Sequence, residues 1–143
     1  MLVHHPPHTI SYAFLSSFVS PAFLDLENNA FTGTIPPELS GLGDITSLRL
    51  GRNDFGQSPI PEEIYSMETL QELELFACNI SGPISPSIAN LTELTLLRLE
   101  VNSLTGGIPE DVAELVNMVE MSFGGNFLTG PLPNITTLVN LGE

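Results

Sequence analysis

The 143-residue sequence predicts an α/β repeat solenoid, and three observations carry that expectation. Leu-x-Leu pairs or their equivalents begin at 24, 48, 73, 97 and 121, so the chain repeats at steps of 24, 25, 24 and 24 residues. Within each unit the apolar spacing changes from two to three. A Gly-x-Ile-Pro stretch, or a close variant, separates the two spacings. Self-similarity at a fixed period of about 20–50 residues marks stacked architectures, in which one unit cannot bury its own apolar face but a stack can.

The elements follow in chain order. Residues 1–22 read as an N-terminal tail with a degenerate first repeat or cap, in which Leu15, Phe18 and Pro21 give a ragged three-spaced echo. "HHPPHTI" reads as a mobile tail. No basic segment precedes "SYAFLSSFVSPA", which argues against a secretory leader. The longest weakly polar stretch, residues 10–26, is interrupted by serines, Pro21 and Asp25. It falls short of the roughly 20 apolar residues of a membrane span.

The repeat domain covers residues 23–143. Period two places both members of each Leu-x-Leu pair on one face of a short strand. The pairs stay in register: Leu24, Leu48, Leu73, Leu97, Met121, then Leu26, Leu50, Leu75, Leu99, Phe123. A third apolar column follows at Phe31, Phe55, Ile80, Leu104 and Leu128. Proline then fixes its own φ and biases the residue before it towards extended backbone. Behind it come Leu39-Leu42-Ile45, Ile64-Met67-Leu70, Ile88-Leu91-Leu94 and Val112-Leu115-Met118. A row at spacing three suits a 3₁₀ or irregular helical segment. The extra residue of the second unit lies in "GQSPIP". The fifth unit stops after "TTLVNLGE" and slips by one, with Ile135 two residues after Pro133 where Leu39 lies three after Pro36.

The pattern resembles the leucine-rich repeat signature L-x-x-L-x-L-x-x-N/C-x-L. "AFTGTIP", "SLTGGIP" and "FLTGPLP" are similar to the plant-type subfamily, found in ectodomains of receptor-like kinases and receptor-like proteins and in polygalacturonase inhibitors. The resemblance implies a right-handed superhelix with a short parallel concave β-sheet and a 3₁₀ or irregular convex side. It also implies a non-catalytic module that takes a protein, peptide or glycan ligand on the concave face. The paired-cysteine caps of plant ectodomains are missing. Since solenoids need caps over their terminal apolar faces, the sequence reads as a piece of a longer array or as a chain that self-associates through its ends.

The middle residue of each Leu-x-Leu points to the concave face, giving the column Asp25, Arg49, Glu74, Arg98, Ser122. The next outward columns are Glu27, Gly51, Phe76, Glu100, Gly124 and Asn28, Arg52, Ala77, Val101, Gly125. Asp25, Glu27, Arg49, Arg52, Glu74, Phe76, Arg98 and Glu100 are the candidate ligand-binding residues, with Glu74 and Phe76 read as exposed. Arginine and aromatic side chains are typical interface anchors. A second reading stays open: alternating charges on adjacent strands hold the stack together, each exposed pair contributing about 0–1 kcal/mol. Five residues after each repeat start come Asn29, Asn53, Cys78, Asn102 and Asn126. The resemblance makes this column an inward-facing structural ladder that bonds the turns of neighbouring units. It gives the lone Cys78 the same structural place, since cysteine tolerates burial.

Composition removes other classes. Seventeen acidic residues against three arginines leave a net charge of −14, which argues against nucleic acid and anionic membrane surfaces. No catalytic constellation, cofactor motif or metal site is read: the repeats lack histidine, so Ser-His and Cys-His mechanisms have no base. Glu62-Glu63 and Glu110-Asp111 read as acidic first-turn residues. Asn79, Asn90 and Asn134 head Asn-x-Ser/Thr sequons, acceptors only in a secretory pathway. Together with the resemblance they point to an extracellular or cell-surface protein, with a cytoplasmic one as the alternative. A structural scaffold or adhesion array is the alternative function.

Overall fold

The computed structural model describes residues 8–17 and 21–142. Eight strands, β1 Phe23–Asp25, β2 Ser47–Arg49, β3 Glu72–Glu74, β4 Ser81–Pro83, β5 Leu96–Arg98, β6 Ser103–Gly106, β7 Glu120–Ser122 and β8 Phe127–Leu128, form two parallel sheets among these residues. The larger sheet runs β1-β2-β3-β5-β7, one strand per repeat. Its register pairs Leu24, Leu48, Leu73, Leu97 and Met121 across successive strands. The four leucines are 3% exposed or less, because period two turns them all inward.

Four 3₁₀ turns, Pro37–Gly41, Glu62–Ser66, Pro86–Asn90 and Glu110–Glu114, close the convex side. Pro36, Pro61 and Pro109 stand at their N-caps with φ between −59° and −73°, the value the pyrrolidine ring imposes. In the third turn Ser85 takes that place, and its hydroxyl accepts the Ser87 amide. Leu39, Ile64, Ile88 and Val112 point from these turns into the core and are fully buried. In the fifth repeat the slipped row Ile135-Leu138-Leu141 keeps the same i+3 backbone bonds, and Leu138 is buried.

The smaller sheet, β4-β6-β8, is not foreshadowed by the apolar pattern. Its strands read Ser-Gly-Pro, Ser-Leu-Thr-Gly and Phe-Leu, with little alternation to announce them. It begins only at the third repeat. The 25-residue second unit puts Gly56 and Gln57 consecutively in left-handed backbone, at φ 64° and 53°, which breaks an extended strand there. The first two repeats are joined on this side by the isolated bridge Thr32–Asp54.

The N-terminal region departs from a mobile tail at His8, whose carbonyl accepts the Thr32 amide at 2.9 Å in a bridge to Phe31. A short helix, α1 (Tyr12–Leu15), follows, and Ile10 and Leu15 are buried in the same core as the repeats. His4, His5 and Phe18 lie outside the described residues. At the other end, Leu132 and Val139 are more than four-fifths exposed, beside a cavity of about 230 Å³ lined by Met121, Phe123, Ile135 and Leu141 among others.

Candidate recognition face

The strand register carries Asp25, Arg49, Glu74, Arg98 and Ser122 onto one row of the concave face. The row before it supplies Glu72 and Glu120, and the two rows interlock. Arg49 Nη2 donates to Glu72 Oε2 at 2.8 Å, an oxygen that also accepts from Ser47 Oγ at 2.8 Å. Arg49 Nε lies 2.9 Å from Glu74 Oε1 without the alignment of a hydrogen bond, so that contact is one of charge. Arg98 Nη1 reaches Glu74 Oε2 at 3.4 Å, while its Nε and Nη2 donate to Glu120 Oε1 at 2.9 and 2.7 Å. The result is a continuous chain, Glu72–Arg49–Glu74–Arg98–Glu120. The hydrogen bond from Arg49, helped by Ser47, holds the Glu72 carboxyl below its ordinary value. Burial pushes Glu74 the other way, although both arginines oppose that shift.

Two of the candidate residues sit differently from their expected exposure. Glu74 is 5% exposed, because the long side chains of Arg49 and Arg98 converge on it from both neighbouring strands. Phe76 is half-buried: its ring lies over Gly51, where an added Cβ would stand 2.5 Å from a ring carbon. Glycine is needed at position 51 because the ring occupies the side-chain space. Arg52 places its guanidinium carbon 5.4 Å from the centre of that ring, and its Nη1 lies 3.7 Å from Glu27 Oε1. Arg49 is likewise 5.1 Å over Phe23. Asp25 turns back on its own strand end, where Oδ1 accepts the Glu27 amide at 2.9 Å. Glu100 is part-exposed, and its Oε2 is buried without a hydrogen-bond partner.

The column after Phe76 has a backbone property that reading by polarity missed. Asn28, Arg52, Ala77, Val101 and Gly125 all adopt left-handed backbone, with φ from 51° to 67°. The signal was present: asparagine and glycine, the residues that tolerate this region best, share the column. Val101 is the outlier, a β-branched side chain held left-handed and 60% exposed. Arg52, 61% exposed along its side chain, is the other prominent member.

Behind the sheet, Asn53 Nδ2 donates to Leu26 O at 2.9 Å and Leu50 O at 2.7 Å, and Oδ1 accepts the Phe31 amide. Asn102 repeats this with Leu75 O and Leu99 O, and its Oδ1 accepts both the Cys78 and Ile80 amides. Asn126 bonds Leu99 O and Phe123 O and accepts the Leu104 amide. Cys78 is fully buried, with its thiol 3.1 Å from Leu50 O and its ionisation pushed up to about 12 by burial. The Phe55 amide, whose equivalents in other repeats go to an asparagine side-chain oxygen, bonds the main-chain carbonyl of Cys78 at 2.9 Å. Asn29 differs from the inward-facing expectation. It is exposed, and its amide bonds only Leu26 O and Glu27 O of its own repeat.

The three sequons occupy different settings. Asn90 ends the third 3₁₀ turn and is exposed. Asn134 is exposed, and its Oδ1 accepts the Thr136 amide at 3.2 Å. Asn79 sits at φ 55°, its amide nitrogen 2.8 Å from Asp54 Oδ1.

The family model described as Leucine Rich Repeat matches residues 22–42 and 69–91. These segments carry the strands, ladder positions and 3₁₀ turns described above. The chain carries leucine-rich repeats in these segments and has the leucine-rich repeat fold. A curated relative, Receptor-like protein 39 of Arabidopsis thaliana, is 32% identical over 89 residues, which is 61% of this chain and 10% of the relative. The Arabidopsis receptor kinase HAESA, solved in complex with the peptide hormone IDA and the co-receptor SERK1, is 36% identical with a TM-score of 0.84. The match covers 90% of this chain and 22% of HAESA. A plant ice-binding protein is also similar, at 34% identity and a TM-score of 0.74 over 78% of this chain and 36% of that one. The leucine-rich repeat chain thus spans a minor part of each of these relatives. Their differing ligands show that the fold alone does not choose a function.

Proposed function

We propose that this leucine-rich repeat chain contributes the recognition surface of a receptor-like ectodomain outside the cell, taking an extended peptide or a protein segment on its concave face. The observation that carries this reading is the division of labour on that face. Arg49 and Arg98 are held in short ion pairs, while Arg52, with only a 3.7 Å contact to Glu27 and a stack on Phe76, and Val101 stand out at 61% side-chain and 60% overall exposure on the left-handed turns beside it. Exposed cationic and apolar groups on a preorganised backbone suit a binding surface, since little ordering is left to be done on association. The similarity to HAESA, which is described with a peptide hormone, supports a peptide over other ligands.

Peptides selected from a displayed random library against this chain test the reading. Selected peptides should shift the backbone amides of β2, β3, β5 and the turns that follow them. Arg52→Glu or Val101→Asn should weaken binding at least tenfold, and Glu93→Lys on the convex side should not. Reversal of Arg49 or Arg98 is a poor probe, since it would set a carboxylate among Glu72, Glu74 and Glu120. Peptides that bind equally to both concave variants, or that map to the convex side, would refute the proposal.

A further inference from the structure

On the concave face six carboxylates, Asp25, Glu27, Glu72, Glu74, Glu100 and Glu120, meet three guanidiniums, an excess of three negative charges. The excess is not spread evenly. Glu72, Glu74 and Glu120 share Arg49 and Arg98, and Glu27 has Arg52. Glu100 has none: it interacts with the Arg98 charge, but both ends of that guanidinium are already on Glu74 and Glu120.

The repeat itself shows what a glutamate in this column takes. Glu27 and Glu100 are equivalent, three residues after their Leu-x-Leu starts. Glu27 is met by Arg52, the left-handed turn residue of the next repeat, at 3.7 Å. The residue equivalent to Arg52 beside Glu100 is Gly125, which has the same left-handed backbone, φ 67° against 57°, and no side chain. The adjacent Gly124 has open space where its Cβ would be. Phe76, on the other side of Glu100, leans away over Gly51. Where the first two repeats carry a guanidinium, the fourth and fifth hold an unpartnered carboxylate beside two glycines.

We infer that Glu100, with Gly124 and Gly125, receives a cationic side chain, arginine or lysine, of a basic peptide lying along the concave face. This rests on the recognition reading above and names the chemistry of its ligand. The incoming cation stands where Arg52 stands three repeats earlier, bonding Glu100 and passing over glycine backbone. Val101, exposed at the rim, meets the aliphatic stem that such side chains carry. A half-enclosed carboxylate without a donor costs free energy that a ligand's donor recovers.

The test uses acetyl-Gly-Gly-Arg-Gly-Gly-amide and its citrulline twin, which keeps the shape and loses the charge, titrated into the isotopically labelled chain. The arginine peptide should give weak, saturable amide shifts centred on Glu100, Gly124 and Gly125, and the citrulline peptide none. Glu100→Gln should weaken the response at least tenfold. Gly125→Arg should abolish it, because the new side chain repeats the Glu27–Arg52 pair internally; its Cβ would lie 3.4 Å from Val101 backbone, and the strained left-handed φ of 67° is close to the 57° that Arg52 itself holds. Equal shifts with citrulline or in Glu100→Gln, or shifts centred on the convex carboxylates, would overturn the inference. If Gly125→Arg fails to fold, Glu100→Gln decides alone. Library peptides that map to the concave face around Arg52 while the arginine peptide ignores Glu100 would sink this site and leave the recognition reading standing. Library peptides that avoid the concave face altogether would remove the recognition reading itself.

Discussion

Two ladders cross the same strands, one behind the large sheet and one in front of it, and they are made of different physics. Behind, Asn53, Asn102 and Asn126 bond backbone groups at the dry interior edge of the strands. In front, Glu72, Arg49, Glu74, Arg98 and Glu120 trade charge at a surface where all but Glu74 keep about a third or more of their side chains in solvent. An orphaned buried amide or carbonyl costs about 1–3 kcal/mol, whereas an exposed ion pair contributes about 0–1 kcal/mol. The rear ladder therefore fixes the stack. The front one adds less to that hold.

Removing a rear rung should give the largest effect. Asn102→Ala strands the amides of Cys78 and Ile80 and the carbonyl of Leu75 together, while Leu99 O keeps the Asn126 side-chain amide. Denaturant unfolding should show a loss of about 3–5 kcal/mol. A loss under about 1 kcal/mol would place the stability of the stack elsewhere, in the leucine columns alone. Cys78 is the milder rung, because the Phe55 amide takes the Cys78 carbonyl and not its side chain. Cys78→Ala should cost only about 1 kcal/mol for the lost thiol contacts. With burial pushing its ionisation up to about 12, the native thiol should react with a disulfide reagent at pH 8 no faster than the protein opens. Rapid labelling in the absence of denaturant would show that Cys78 is not sealed.

The rear ladder was readable in the sequence because one count from each Leu-x-Leu finds it, and burial there follows from strand register. Cys78 fell into place by the same count. The front ladder was readable only as a column of signs. Whether Glu74 lies open or covered depends on where two arginine side chains fold, and no period encodes that. Phe76 was misjudged for a related reason: Gly51, in the neighbouring repeat, leaves the space its ring fills. The small sheet escaped notice because its strands are short and two of the three are mostly Ser, Gly, Thr and Pro, so backbone pairing rather than side-chain alternation makes them. The first rung, Asn29, is exposed and bonds only carbonyls of its own repeat, which the count from Leu24 does not reveal.

The smallest expected effect separates the two glutamates of the front ladder, and its sign is opposite for each. Glu72 is held below its ordinary value by Arg49 and Ser47. Its contribution to stability is present above the unfolded-state value and is lost as pH falls through the lower folded value. Glu74 is held above its ordinary value by burial. There the folded state keeps the proton longer, so stability falls as pH rises from the ordinary value through the raised one and returns on acidification. Carboxyl carbon resonances should therefore show Glu72 titrating below a free glutamate and Glu74 above it. Stability profiles against pH should follow: Glu72→Gln removes a loss on the acid side, and Glu74→Gln removes a loss on the higher side. Each change should be about 1 kcal/mol or less, since the arginines they face remain partly in water. If both carboxyls titrate below the ordinary value, Glu74 is held by its two arginines more strongly than burial penalises it. The front ladder would then carry more of the stack than its exposure suggests, and the contrast with the asparagine ladder would narrow.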